Sequence, residues 1–202
     1  MYDICFFHME DKIKNKKYND LLKTARELFW KHGFRRVSVE EICKMAGVSK
    51  MTFYRFFPNK LELAKTVFDD VVDEGVKQFR STMADESPAS DKIKKLIRMK
   101  LDGTHDISRE FLNDFYNCPE LGLTSYIEEK TVKMWAILVD DFRQAQLKGY
   151  FRSDMKPEFY FYMAQKLGEI YNDKQLSGLY PNHHELMLEI VNFFMYGISP
   201  HE

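Results

Sequence analysis

Between Tyr18 and Lys31 the apolar residues Tyr18, Leu21, Leu22, Ala25, Leu28 and Phe29 return at helical spacing. An amphipathic helix is predicted there, closed by Gly33. A second, shorter periodic segment follows Ser38, with Val39, Ile42, Cys43 and Ala46 on one face. Ser38 and Glu41 have the spacing of a capping box, in which the hydroxyl and the carboxylate each take an end amide of the helix. Gly47 can adopt positive φ without steric cost and so suits the helix stop. Val48 then plugs a corner, and Ser49 caps a third helix whose Phe53, with Phe56 or Phe57, points inward. Pro58 ends that helix, and Asn59 caps a fourth that Lys60 enters.

The rest of the chain carries no period-two strand pattern, so the fold class is all-α. Leu61, Ala64, Phe68, Val71, Val72, Gly75, Val76 and Phe79 mark one helix to about Met83. Its 25 residues would span roughly 37 Å, enough to link two parts of the molecule. Residues 84–90, ADESPAS, read as a loop, and Ser90 as the cap of a helix to about Leu101. Further helices are predicted over 107–117, from Pro119 to Lys148, from Pro157 to about Asn172, and from His183 to Tyr196. The layout is about nine helices in two domains, 10–62 and 63–202.

Two short helices joined by Gly-Val-Ser form the pattern of a DNA-binding helix-turn-helix, which names the major groove as a partner. Gly33-Phe34, Val37-Ser38-Val39, the run from Glu41 to Ser49 and the run from Thr52 to Lys60 together resemble the N-terminal domain of TetR-family transcriptional regulators. The resemblance covers roughly residues 18–65, and departs most visibly at Cys43, where alanine is usual. It implies a three-helix head over a helical body that dimerises and binds a small-molecule effector. By position in the motif, Lys50, Met51 and Thr52 lie nearest base edges. A lysine there can donate to guanine O6 and N7, while the methionine and the threonine methyl can pack on a thymine methyl. Ser38, Tyr54 and Lys60 match family positions that hold phosphate. Ser49 turns end amides outward, and Arg55 serves base or backbone. Lys12, Lys14, Lys16 and Lys17 form a basic arm that either follows the DNA or is a solvated tail.

The last two helices are apolar on more than one face. A helix greasy on two sides needs two partners, and a second copy of the chain is the economical one. Phe159, Met163, Leu186, Ile190, Phe193 and Phe194 are the candidate homodimer residues. For the effector, Phe111, Phe115, Tyr116, Trp135, Phe142 and Tyr162 are candidate lining, although a helical aromatic stripe is more often core than pocket. His105, beside the Asp102-Gly103 break, is either a polar anchor or a surface histidine.

Charge changes the picture. The formal net charge of the 202 residues is −1, but residues 1–62 carry +5 and residues 63–202 carry −6. A basic head on an acidic body presents one end to phosphate. Three cysteines without motif spacing imply reduced thiols, with no disulfide framework and no metal site. No zincin-like histidine pair, nucleophile elbow or phosphate-cradling loop is present, so no catalytic residue and no cofactor are expected and the chain is not read as an enzyme. The reduced thiols suit a cytoplasm, and the apolar patch Ile4–Phe7 is too short to be a signal peptide or a span, so no membrane is expected as a partner. Translation starts at Met1 or at Met9.

The expected function is thus sequence-specific, operator-binding transcriptional regulation, a repressor released from pseudo-palindromic double-stranded DNA by a small-molecule effector. The alternatives are an activator or chromosome-associated protein of the same fold without a small ligand, or a sensor whose head no longer reads DNA.

Overall fold

The computed structural model describes residues 16–104, 107–171 and 173–200. The predicted basic arm through Lys14, the choice of start, Cys5 and His105 lie outside these. Among the described residues the chain is all-helical. Its nine longer helices are α1 (Lys16–His32), α2 (Val39–Ala46), α3 (Lys50–Phe56), α4 (Lys60–Ala84), α5 (Ala89–Thr104), α6 (Arg109–Tyr116), α7 (Thr124–Leu147), α8 (Pro157–Tyr171) and α9 (His183–Gly197). Single turns stand at Pro119–Leu121 and Lys174–Ser177.

Packing divides the chain into two compact units, residues 1–72 with 106–130, and 73–105 with 131–202. The division expected after residue 62 follows the end of the DNA motif. Packing draws a different line because α6 and the start of α7 return to the head's core. In the first unit Leu21, Phe29, Ile42, Phe53 and Leu63 are fully buried, together with Phe115 and Leu123. Tyr126 donates its hydroxyl to Asp69 Oδ2 at 2.7 Å, tying α7 to α4 there. The second unit closes around Ile93, Leu96, Phe142, Phe151, Val191 and Met195, with α9 packed on α5 and α8.

The local signals acted largely as their chemistry requires. Ser38 Oγ accepts from Glu41 N at 3.1 Å, and Ser49 Oγ from Thr52 N at 3.2 Å. Asn59 Oδ1 accepts from Glu62 N at 2.9 Å. The helix predicted to open at Pro119 instead makes one 3₁₀ turn. Gly122, at φ +71°, breaks it before α7 begins at Thr124. Ser90 falls inside the first turn of α5, where the Pro88 carbonyl accepts from the amides of Asp91 and Lys92. The predicted 84–90 loop is pinned by a fully buried lysine. Lys92 Nζ donates to the carbonyls of Thr82 and Asp85, at 2.8 and 2.6 Å, and to Asp85 Oδ1 at 2.8 Å.

Candidate nucleic-acid interface

The site begins with a turn that only local chemistry can hold. Gly47 closes α2 at φ +64°, and the amide of Val48 returns to Cys43 O at 2.9 Å. Ser49 sits in extended backbone, so α3 starts in a new direction. Phe53 is fully buried and anchors α3 by its inner side, with Val48 in the corner. The outer side then has no choice but to face away. Lys50, Tyr54 and Arg55 are exposed, and Met51 is 85% exposed. An apolar side chain so displayed contributes nothing to the core and is available to a base methyl. Thr52 is half-buried, with its hydroxyl 3.0 Å from Ser49 Oγ. The structure therefore brings Ser49, Lys50, Met51, Tyr54 and Arg55 together on one small surface. Ser38 is exposed at the start of α2.

Lys60 departs from expectation. Its ammonium donates to the carbonyls of Phe34 and Val37, both at 2.7 Å, and lies 4.2 Å from the centre of the Phe34 ring. Two of its three protons are committed inside the protein. Burial pulls its pKa below the ordinary lysine value, with the carboxylate of Asp114 opposing the shift. Lys60 is thus a clamp on the turn between α1 and α2, not a free phosphate hand.

The head carries two polar connections that spacing alone did not reveal. Lys50 Nζ pairs with Glu40 Oε1, joining the first turns of α3 and α2. The Lys50 ammonium holds the Glu40 carboxyl below its usual range, and Glu40 raises the lysine in turn. The second connection runs to α6. Asp114, buried, accepts from the backbone amide of Arg35 at 2.8 Å, and the Arg35 guanidinium reaches Cys118 Sγ at 3.2 Å and the Glu120 carboxylate. The amide of Ser108, which caps α6, donates to Trp30 O at 2.8 Å.

The candidate effector residues are corrected by their packing. Phe111 and Phe115 are buried in the first unit, stacked on each other at 4.3 Å, with Phe111 4.4 Å from Trp30. Phe142 is buried in the second unit, 4.4 Å from Phe151 and 5.0 Å from Tyr160. These three fill cores. Tyr116 and Tyr162 are exposed, and Trp135 is half-buried against the second core. A shallow cleft of about 170 Å³ in the second unit is lined by Phe79, Arg80, Met83, Asp141, Gln144 and Lys148, none of them expected. It is small beside the few hundred Å³ of an ordinary ligand pocket.

The candidate dimer residues split. Phe193 is 79% exposed, and Phe159 is also exposed, as are Tyr162 and Tyr196. Met163 and Phe194 are half-buried. Leu186, at 1%, and Ile190 are buried within the chain and are not available to a second copy. With two apolar stripes on one helix, periodicity could not say which turned inward. Among the described residues no cluster of three metal-ligating side chains occurs, and no helix is long and apolar enough to cross a membrane.

Residues 21–67, which hold the turn with α2 and α3, match the model of the bacterial regulatory proteins of the tetR family. The DNA-binding head is thus of the TetR type. It is a DNA-binding transcriptional regulator, and the proteins it is similar to are transcriptional regulators. Among similar TetR-type regulators, YdgC of Bacillus subtilis is 24% identical over 182 residues, covering 89% of this chain and 91% of YdgC. RutR of Escherichia coli is 29% identical over 142 residues, covering 68% of this chain and 63% of RutR. The solved structure of the fatty acid degradation regulator FadR from Bacillus halodurans shares the fold, with a TM-score of 0.66 and 22% identity over 93% of this chain and 99% of FadR.

Proposed function

We propose that this regulator is a homodimeric repressor, acting in the cytoplasm, that leaves its operator when a small molecule binds the body. The observation that carries the reading is the display of Lys50, Met51, Tyr54 and Arg55 on one capped helix fixed from behind by Phe53. In this reading Lys50, Met51 and Thr52 meet base edges, while Ser38, Ser49, Tyr54 and Arg55 engage the backbone. Phosphate contacts set register, and base contacts set sequence. The exposed aromatics Phe159, Tyr162, Phe193 and Tyr196 on α8 and α9 support pairing with a second copy, since exposed rings of this size are costly in a monomer. A two-fold dimer places two heads on half-sites about 35 Å apart, one helical turn of DNA. FadR, named for fatty acid degradation, supports an apolar effector. That effector acts by binding the DNA-incompetent arrangement better and so shifting the population towards it.

Fluorescence anisotropy on labelled DNA from upstream of the coding region tests the reading. Binding should survive random competitor and be lost on adding a long-chain fatty acid or its coenzyme A thioester. Binding no tighter than to competitor overturns the operator assignment, and binding indifferent to every apolar compound tried overturns the effector class.

A further inference from the structure

We propose that Glu40 is a specificity-determining residue, holding the Lys50 ammonium until a base edge replaces it and so withholding that charge from phosphate. The inference rests on the assignment of α3 as the DNA-reading helix. Glu40 and Lys50 are ten residues apart in sequence, on different helices, and the turn at Gly47 brings their side chains into an ion pair. Both are open to solvent, Lys50 at 54% and Glu40 at 62% of the side chain, so the pair stands at the surface that meets DNA and can exchange partners. Met51, the most exposed large apolar side chain of the chain's described residues, stands beside it.

The physical argument turns on what each kind of contact offers. A phosphate presents only acceptors. If Lys50 moves to one, Glu40 is left unpaired next to a polyanion, and the exchange gains little. A G·C pair in the major groove presents O6 and N7 acceptors on guanine and an N4 amino donor on cytosine. Lysine and carboxylate then both find partners on one base pair. The pair is therefore nearly silent on arbitrary DNA and satisfied on the right sequence. Without the carboxylate, Lys50 becomes an ordinary phosphate-binding cation, which strengthens binding everywhere and lowers discrimination.

The test uses the full-length protein, a random-sequence duplex and a duplex selected from a random pool by the parent, with anisotropy read across a salt series. Glu40→Gln should bind the random duplex more tightly, and its log–log salt slope should steepen by about 0.9 for each head engaged. Its preference for the selected duplex should fall. Adding Lys50→Met to Glu40→Gln should remove the gain in slope, with circular dichroism showing that the variants keep their helices. An unchanged slope for Glu40→Gln overturns the proposal. So does a gain that persists when Lys50→Met is added, because the carboxylate would then act through bulk charge alone. A parent that enriches no sequence from the random pool overturns the DNA-reading assignment itself, and this proposal with it.

Discussion

Gly33→Ala and Gly47→Ala are the same chemical change in two similar backbones, and they should differ in cost. Gly33 has φ +77° and Gly47 φ +64°, so both alanines meet the left-handed penalty of about 1–2 kcal/mol. At Gly47 nothing lies within 4 Å of the added carbon, and that penalty is the whole effect. At Gly33 the new Cβ would stand 2.7 Å from Asp114 Oδ2 and 3.0 Å from the backbone carbon of Glu110. Asp114 cannot swing away cheaply, because it is buried and its Oδ2 holds the Arg35 amide at 2.8 Å. Overpacking of this kind adds about 1–3 kcal/mol. Gly33→Ala should therefore cost more than Gly47→Ala by roughly that amount. The chain has two tryptophans, so in a Trp135→Phe background the fluorescence of Trp30 reports the first unit. Urea unfolding at one fixed protein concentration gives the two midpoints. Equal midpoints would refute the account of α6 packed against the Gly33 turn.

Three further outcomes follow from the geometry. Lys60→Met removes two hydrogen bonds from an ammonium and should destabilise the first unit by about 2 kcal/mol without changing the salt slope of DNA binding. A slope lower by about 0.9 would restore its phosphate role. Asp85, whose carboxyl is held well below its usual range by Lys92, Lys95 and Ser87, stabilises the fold above its unfolded pKa near 4 and ceases to as pH falls through its lower folded value. The stability gap between parent and Asp85→Asn, from urea melts, should thus be full at pH 7 and narrow in strong acid; a gap independent of pH would refute this. Phe193→Glu should cost the dimer about 2 kcal/mol or more, seen as dissociation by light scattering at micromolar protein; an unchanged dimer would remove α9 from the interface.

What the sequence made legible was whatever is decided within about four residues. Ser38, Ser49 and Asn59 cap as their types and positions require, and Gly47 turns where a helix must stop. The burial of Phe53 and the exposure of Met51 follow from period and phase on one short helix. The connections that shape the head join distant residues. Lys60 reaches back 26 residues to Phe34, and Arg35 reaches 79 residues forward to Asp114. A lysine at the start of a helix looks the same in sequence whether it faces phosphate or a carbonyl. For the same reason the pattern of Phe111 and Phe115 leaves a pocket role open that the fold closes, with Trp30 tilted against Phe111 and Phe111 stacked on Phe115.

That last contact bears on where the head ends. Phe111, Phe115, Leu123 and Ile127 are buried in the first unit's core, although they lie 40 residues and more beyond the DNA motif. Burying such a side chain is worth about 1.5–3 kcal/mol, so the four supply roughly 6–12 kcal/mol. That equals the whole stability of an ordinary domain. Expressed alone, residues 1–72 keep the caps and the turn but lose this group, leaving Phe29, Trp30 and Phe34 without the rings they pack on. The fragment should bind a hydrophobic dye and show poorly dispersed amide resonances, while a fragment in which a short linker joins 1–72 to 106–130 should regain dispersion. A well-dispersed, dye-free spectrum from 1–72 would mean that α6 only rests on a head already complete.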